Sequence, residues 1–325
     1  NDRVILITGG TGSFGHQIVK ELMVYKPKSI RIFSRDEDKQ HLMQDEFNSH
    51  PISKKLKFLI GDVRDYDRLY AVTKDVDIIF HAAALKHVPA VELHPYEAVK
   101  TNIFGAYNVV KASVARKVKN VVAISTDKAV KPVNAMGMTK ALQVKIILSD
   151  DLTKDSTKFC CVRYGNVLGS RGSVIPVWNS KIDKKQPLPI THKEMTRFLL
   201  TLSEAIDLVF YSLKHGKGGE IFVKKAPAAK MTDLALAYAE LKTGKKNYPL
   251  EFIGIRAGEK IDEILVSEEE MRHSIERKDH FVINKEAKID KFSTIISHKQ
   301  YGSSNTKHLT IDELKHIMKK LQWTA

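Results

Sequence analysis

Apolar residues fall in short runs separated by helical stretches through the first half of the chain. Val4–Thr8, Ile30–Ser34, Leu56–Ile60 and Asp77–Phe80 have the length of buried strands. After the first run, Ile18, Val19, Leu22 and Met23 recur at the spacing of one helix face. A long helical stretch from Tyr96 to Ala115 leads to another apolar run, Val121–Ile124, which reads as a strand ending at Ser125. The stretch through Leu148 reads as the helix that follows, and Phe159–Arg163 as a sixth strand. Repeated strand–helix units of this length predict an α/β fold, a Rossmann-type doubly wound parallel sheet with helices on both faces.

Beyond Gly165 the rhythm breaks. Gly169, Gly172, Pro176, Pro187 and Pro189 mark an irregular stretch before a helix at Leu202–Lys214. A strand at Glu220–Val223, a helix at Thr232–Thr243 and a strand near Phe252 follow. From Glu268 the chain is polar with weak periodicity until a helix at Ile311–Leu321. The expectation is a nucleotide-binding domain over 1–167 and a smaller α/β substrate-binding lobe over 168–325, partly interleaved with it.

Gly9-Gly10-Thr11-Gly12-Ser13-Phe14-Gly15 follows the first strand and opens the first helix. Glycines there permit a tight turn, let backbone approach a pyrophosphate, and let helix pack on strand. The helix N-terminus offers N–H donors and a positive dipole to the phosphates. Strand, motif, helix and strand in this order predict a dinucleotide site formed by Gly9, Thr11, Gly12, Ser13, Phe14 and Gly15. The second strand ends Phe33-Ser34-Arg35, without the acidic residue that binds a free ribose 2′-hydroxyl. Arg35 suits a 2′-phosphate, so NADP is expected over NAD. Asp62 and Val63 after the third strand, and Ala82, Ala83 and Ala84 after the fourth, complete the cofactor edge.

The chemistry-bearing segment is Ser125-Thr126-Asp127-Lys128 with Met136-Gly137-Met138-Thr139-Lys140. Ser125 and Lys140 suggest a Ser/Tyr/Lys hydride-transfer site, but Met136 stands where the tyrosine belongs. Methionine cannot take or give a proton. Asp127 and Lys128 beside it can, which points to chemistry beyond oxidising one alcohol.

These residues carry a resemblance. Thr8 to Gly15, His81-Ala82-Ala83-Ala84-Leu85-Lys86, Ser125 to Lys128, Arg163-Tyr164-Gly165-Asn166-Val167, Ser170 to Pro176 and Met195-Thr196-Arg197-Phe198 resemble an extended short-chain dehydrogenase/reductase. More narrowly, the set is similar to inverting UDP-N-acetylglucosamine 4,6-dehydratases of bacterial capsule and surface-polysaccharide pathways, from about Val4 to Lys260. The resemblance implies that tightly bound NADP takes hydride from C4 of the hexose. The ketone acidifies the C5 proton, a base removes it as an acid expels the C6 hydroxyl, and hydride returns to C6 with inversion at C5. The cofactor is thereby recycled. It assigns Lys128 as the C5 base, with burial near Lys140 and a nicotinamide cation lowering its pKa, and Asp127 as the acid. Lys140 is expected on the nicotinamide ribose, and Ser125 or Thr126 on a substrate hydroxyl. Lys86, Asn102 and Tyr164 join the cofactor set. With Met136 in place, Lys128 or a water near Lys140 is expected to serve C4 oxidation.

Substrate residues expected on the same basis are Lys86, Asn166, Arg171, Val174, Thr191, Arg197, Arg256 and Glu259. Arginines clamp a diphosphate through paired donors, and a carboxylate can hold ribose hydroxyls. Arg256-Ala257-Gly258-Glu259-Lys260 resembles the Arg-x-Gly-Glu element of extended members. The partner is a UDP-sugar. A UDP-hexose 4-epimerase is the alternative, although epimerisation needs no C5/C6 acid–base pair; a non-catalytic NADP-binding regulator is the third.

Composition narrows the setting. Lys and Arg number 53 against 38 Asp and Glu, a formal net charge of +15. The lysines are scattered doublets without interleaved aromatics, so no nucleic-acid partner is expected. No apolar run reaches membrane-spanning length, and the N-terminal run leads into a glycine turn rather than a leader pattern. Two adjacent cysteines, Cys160 and Cys161, point to opposite faces of a strand, which argues against a disulfide and for a reducing cytoplasm. No His/Cys cluster has metal-ligand spacing, so no metal is expected. The resemblance implies a homo-oligomer, hexamer or dimer.

Overall fold

The computed structural model describes residues 2–149, 151, 157–169, 174–284 and 299–321. Strands β1 (Val4–Thr8), β2 (Ser29–Ser34), β3 (Leu56–Ile60), β4 (Ile78–His81), β5 (Asn120–Thr126) and β6 (Lys158–Tyr164) form its first half. They run parallel in the spatial order β3-β2-β1-β4-β5-β6. All five residues of β1 are buried, as a central parallel strand covered on both faces must be. The strand order reverses direction at β1, and ligands bind such sheets in the crevice at the carboxyl ends of the strands on either side. This is the expected doubly wound α/β fold.

The sheet does not stop at β6. Glu220–Lys224 adds a further parallel strand beside it, and the antiparallel pair His280–Asn284 and Ser274–Glu276 closes that edge, giving nine strands. The second half of the chain thus contributes strands to the main sheet as well as building a lobe of its own. That lobe has a separate apolar core around Trp178, Leu188, Leu234, Tyr238 and Leu314. Short strands Ala228–Lys230, Thr196–Leu200 and Asn166–Val167 form one small sheet, and Leu250–Phe252 pairs with Leu188–Ile190.

Three stretches differ from the sequence reading. The helix expected over Tyr96–Ala115 is α-helical at Pro95–Ala98, winds as a π-helix over Val99–Phe104, and resumes as α over Gly105–Ala115. Asn102 lies buried in the wide turn, where its side chain receives the Leu85 N–H at 2.8 Å and donates to Leu85 O at 3.1 Å and Thr139 Oγ1 at 3.0 Å. The stretch read as irregular contains the helix Ile175–Asp183, whose Pro176 sits in the first turn, where a missing N–H breaks no intrahelical bond. The polar tail contains the pair Ser274–Glu276 and His280–Asn284, an outer edge too mixed in character to show period two.

Candidate active site

The nucleotide end is built from backbone. Gly9 sits at φ +67°, and a Cβ there would lie 2.8 Å from Ala83 Cα. That close approach explains small residues after β4. A Cβ on Gly15 would fall 1.8 Å from Gly10 O, so only glycine lets the first helix, Ser13–Leu22, pack onto the loop. No side chain caps that helix at Gly12. A helix N-terminus without a side-chain cap suits an anion such as a pyrophosphate. Thr11 is buried in the loop, and Ser13 and Phe14 begin the helix.

The adenosine side is more occupied than the sequence suggests. Ser34 Oγ and O both accept from Gln40 Nε2 at 3.0 Å. Arg35 is half exposed and lies 3.6 Å from Asp62, which also receives Arg64 at 2.7 Å. Burial alone raises the Asp62 carboxyl, but Arg64's hydrogen bonds and the charges of Arg64 and Arg35 outweigh it and hold it below its ordinary value. Val63 is buried with its side chain against Gly105. Ala82, Ala83, Ala84 and Lys86 follow β4, and burial lowers the Lys86 amine. Tyr164 ends β6, buried.

The residues expected to be catalytic gather where β5 ends. The helix Ala135–Ile147 is N-capped by Asn134, whose Oδ1 accepts from Gly137 N at 2.7 Å. Met136 and Lys140 are four residues apart and share a helix face. Met136 is 3% exposed and packs in a small apolar cluster with Val91 and Ala98. Lys140 Nζ donates to Ile124 O at 2.6 Å, and burial lowers its pKa to about 8, a charge that Cys161 supports only weakly. Ser125 Oγ is buried without a hydrogen-bond partner among the described residues. His81 Nδ1 shares a 2.7 Å hydrogen bond with Thr8 Oγ1, and burial with the nearby Lys140 charge drops its pKa to about 3. It is a neutral structural group.

Asp127 is fully buried and accepts from Thr126 Oγ1 at 2.8 Å and from Lys128 Nζ at 3.0 Å. Lys128 Nζ also lies 3.4 Å from Glu263 Oε1. The expected lowering of Lys128 is corrected here. Burial pulls its amine down, but Asp127 and Glu263 together pull harder, and its pKa rises above the ordinary lysine value. The cation that opposes them is Arg197, not Lys140. The sequence reading missed Glu263, although it lies only three positions beyond Lys260 in a segment already singled out.

A cavity of about 160 Å³ opens on this group, lined by Val88, Lys128, Asn134, Arg197, Gly258, Glu259, Lys260 and Glu263. The structure therefore brings Lys128, Arg197 and Glu259 to one cavity. Asn166, Val174, Thr191 and Arg256 do not line it, and Arg171 lies outside the described residues. Arg197 is tied to its surroundings: Nη1 donates to Thr196 O at 2.7 Å and Ile261 O at 3.0 Å, and Nη2 to Lys260 O at 2.9 Å. Glu259 accepts from Arg256 N at 3.3 Å. Two bonds fasten this loop to the catalytic segment, Asn134 Nδ2 to Gly258 O at 2.7 Å and Lys260 Nζ to Val130 O at 2.6 Å. No group of His, Cys, Asp and Glu suited to a metal ion occurs among the described residues, and no described helix is long and apolar enough to cross a membrane.

Residues 5–285 match a family described as "Polysaccharide biosynthesis protein". A relative from Rickettsia bellii named UDP-glucose 4-epimerase is 43% identical over 99% of this chain and 97% of its own length. The X-ray structure of Pen from Bacillus thuringiensis superposes with a TM-score of 0.92 at 39% identity, covering 100% of this chain and 99% of that one. A dTDP-glucose 4,6-dehydratase from Streptomyces venezuelae, at 20% identity, covers 79% of this chain and 86% of its own with a TM-score of 0.70, a likeness of fold.

Proposed function

We propose that this chain, which belongs to the polysaccharide biosynthesis protein family and has the extended short-chain dehydrogenase/reductase fold, is an NADP-dependent UDP-N-acetylglucosamine 4,6-dehydratase with inversion at C5. The observation that carries this reading is the Asp127–Lys128 pair, 3.0 Å apart, with Asp127 buried and the partly exposed Lys128 open to a cavity. Bound NADP would accept hydride from C4 and return it to C6. The glycine loop and the uncapped helix after it suit its pyrophosphate, and Arg35 suits its 2′-phosphate.

The residues account for the proton movements. In the ion pair, Lys128 carries the proton and Asp127 does not. Moving that proton from Nζ to the carboxylate across 3.0 Å gives an amine and a carboxylic acid. Those are the base that removes the C5 proton and the acid that expels the C6 oxygen as water. Elimination thereby leaves the pair as it began, ammonium and carboxylate. C5 is then reprotonated from the opposite face, as inversion requires, and the proton consumed is balanced by the one released from the C4 hydroxyl on oxidation. Closing the cavity with substrate strips water from both ions, which costs the ion pair more than the neutral amine and acid. Met136 contributes packing only, and C4 deprotonation falls to Lys128 or to a water held near Lys140.

The name of the Rickettsia relative favours a second reading, a UDP-hexose 4-epimerase. An NMR time course with UDP-N-acetylglucosamine and NADP in D₂O separates the two. A 4-keto-6-deoxy product carrying deuterium at C5 is expected, with inversion read from the ring couplings. Accumulation of the C4 epimer with protium retained at C5 would establish the epimerase instead.

A further inference from the structure

We propose that Glu263 is a positioning residue that sets which protonation form the Asp127–Lys128 pair adopts, acting through Lys128. Its role in elimination rests on the dehydratase reading; its electrostatic hold on Lys128 does not. Glu263 is 2% exposed, immediately precedes the short strand segment Ile264–Val266, and is fixed through its backbone, its N–H donating to Ser303 Oγ at 2.9 Å and its carbonyl accepting from Ser303 N at 2.8 Å. This anchoring aims the carboxylate at Lys128, 3.4 Å from Nζ, with Arg197 Nε at 3.8 Å on another side.

The charged groups facing Glu263 are Asp127 and Lys128 from the turn after β5, Arg197 from Thr196–Leu200, and Lys260 from its own loop. Two carboxylates thus share one lysine in a buried site. Oxygens Oε2 of Glu263 and Oδ2 of Asp127 are both buried with no hydrogen-bond partner among the described residues. A bare buried carboxylate oxygen is costly when ionised and cheap when the group carries a proton. Burial and the Asp127 charge push the Glu263 carboxyl above its ordinary range, against the three cations. With Glu263 protonated, Lys128 faces a single anion, and passing its proton to Asp127 leaves no unpaired charge in the pair. With Glu263 ionised, a second anion holds Lys128 as ammonium and withholds the base. No proton is gained or lost in this switch beyond the one on Glu263.

The test compares the wild-type chain with Glu263→Gln and Glu263→Asp. The first reading is the alkaline titration of the Lys128 side chain by ¹³C NMR at Cε, assigned through its loss in Lys128→Arg. Glu263→Gln is expected to lower the Lys128 midpoint by about one pH unit, since one of its two anions is gone. Glu263→Asp, charged but one carbon shorter, is expected to give an intermediate midpoint, and it decides the matter if the Gln variant does not fold. The second reading is the pH profile of C5 deuterium incorporation from D₂O. The wild-type rate is expected to fall on an alkaline limb that Glu263→Gln lacks, whereas loss of mere packing lowers the rate evenly at every pH. Equal Lys128 midpoints in all three chains overturn the proposal. A wild type that incorporates no C5 deuterium overturns the dehydratase reading alone, and the Lys128 titration still decides the role of Glu263.

Discussion

The two ends of the proposed active site are built on opposite plans. The nucleotide end is made mainly of backbone, from segments that follow β1 to β4, with the Asp62–Arg64 ion pair at its adenosine edge. The acid–base end is made of charged side chains that meet from distant parts of the chain: Asp127 and Lys128 after β5, Arg197 from a short strand, Lys260 and Glu263 from a later loop. Backbone sites fail by steric overlap, which is abrupt. Sites assembled from side chains fail by degrees, because each contact contributes separately and the charges compensate one another. The expected effects of substitution should therefore differ in size and in kind.

The largest effect is expected at Gly15. Its missing Cβ would lie 1.8 Å from Gly10 O, and that atom belongs to a tight turn that cannot rotate away as a side chain would. Gly15→Ala should cost at least about 4 kcal/mol, beyond ordinary overpacking. The expected outcome is a chain that is unfolded or that no longer binds dinucleotide, checked by circular dichroism melting and by fluorescence titration with NADPH. A variant that melts like the wild type would show that the loop can yield, and the contrast between the two ends would weaken.

An intermediate effect is expected at Lys140, which stands between the two ends. Its amine titrates at about 8 in the folded chain against an ordinary 10.5. Between those values the unfolded chain holds a proton that the folded chain has released, so stability should rise with pH across that window. The rise amounts to about 3 kcal/mol when complete. Urea unfolding at about pH 7.5 and about pH 10 should show it in the wild type and not in Lys140→Met. A rise of equal size in both chains would place its origin elsewhere.

The same contrast governs what the sequence made legible. β1 to β6 could be read because each is a continuous apolar run, and the glycine loop because its whole logic lies within seven consecutive residues. The lobe's strands could be read only in part: the strand expected near Phe252 is there as Leu250–Phe252, but its partner Leu188–Ile190, interrupted by Pro189, does not announce itself alone. Asp127, Lys128, Met136 and Lys140 were visible as one local segment, and their gathering after β5 follows from strand and helix periodicity. Glu263 was not. A single glutamate in a polar stretch carries no signal until the fold sets it against Lys128, where it acts with Asp127 to reverse the shift expected of that lysine. Ser34 shows the same limit at smaller scale, since nothing in the sequence tells that Gln40 occupies both of its oxygens.

The smallest effect is expected at Asn134, where the two plans meet in one side chain. Its Oδ1 caps the helix that carries Met136 and Lys140, and its Nδ2 holds the Gly258 carbonyl of the loop that brings Glu259 and Lys260 to the cavity. Asn134→Ala removes both bonds and should destabilise the chain by about 2 kcal/mol, roughly one for the cap and one for the stranded carbonyl. Asn134→Asp separates them. Aspartate caps as well as asparagine but has no donor for Gly258 O and meets it with like polarity. Its helix should keep near wild-type stability while the loop is released. The expected signature is a raised KM for the sugar nucleotide with little change in NADPH affinity, measured by initial rates and fluorescence titration. If Asn134→Asp leaves KM unchanged, Lys260 holds the loop through Val130 O without help from Asn134. The cap would then be the whole of Asn134's contribution, local like the glycine loop's.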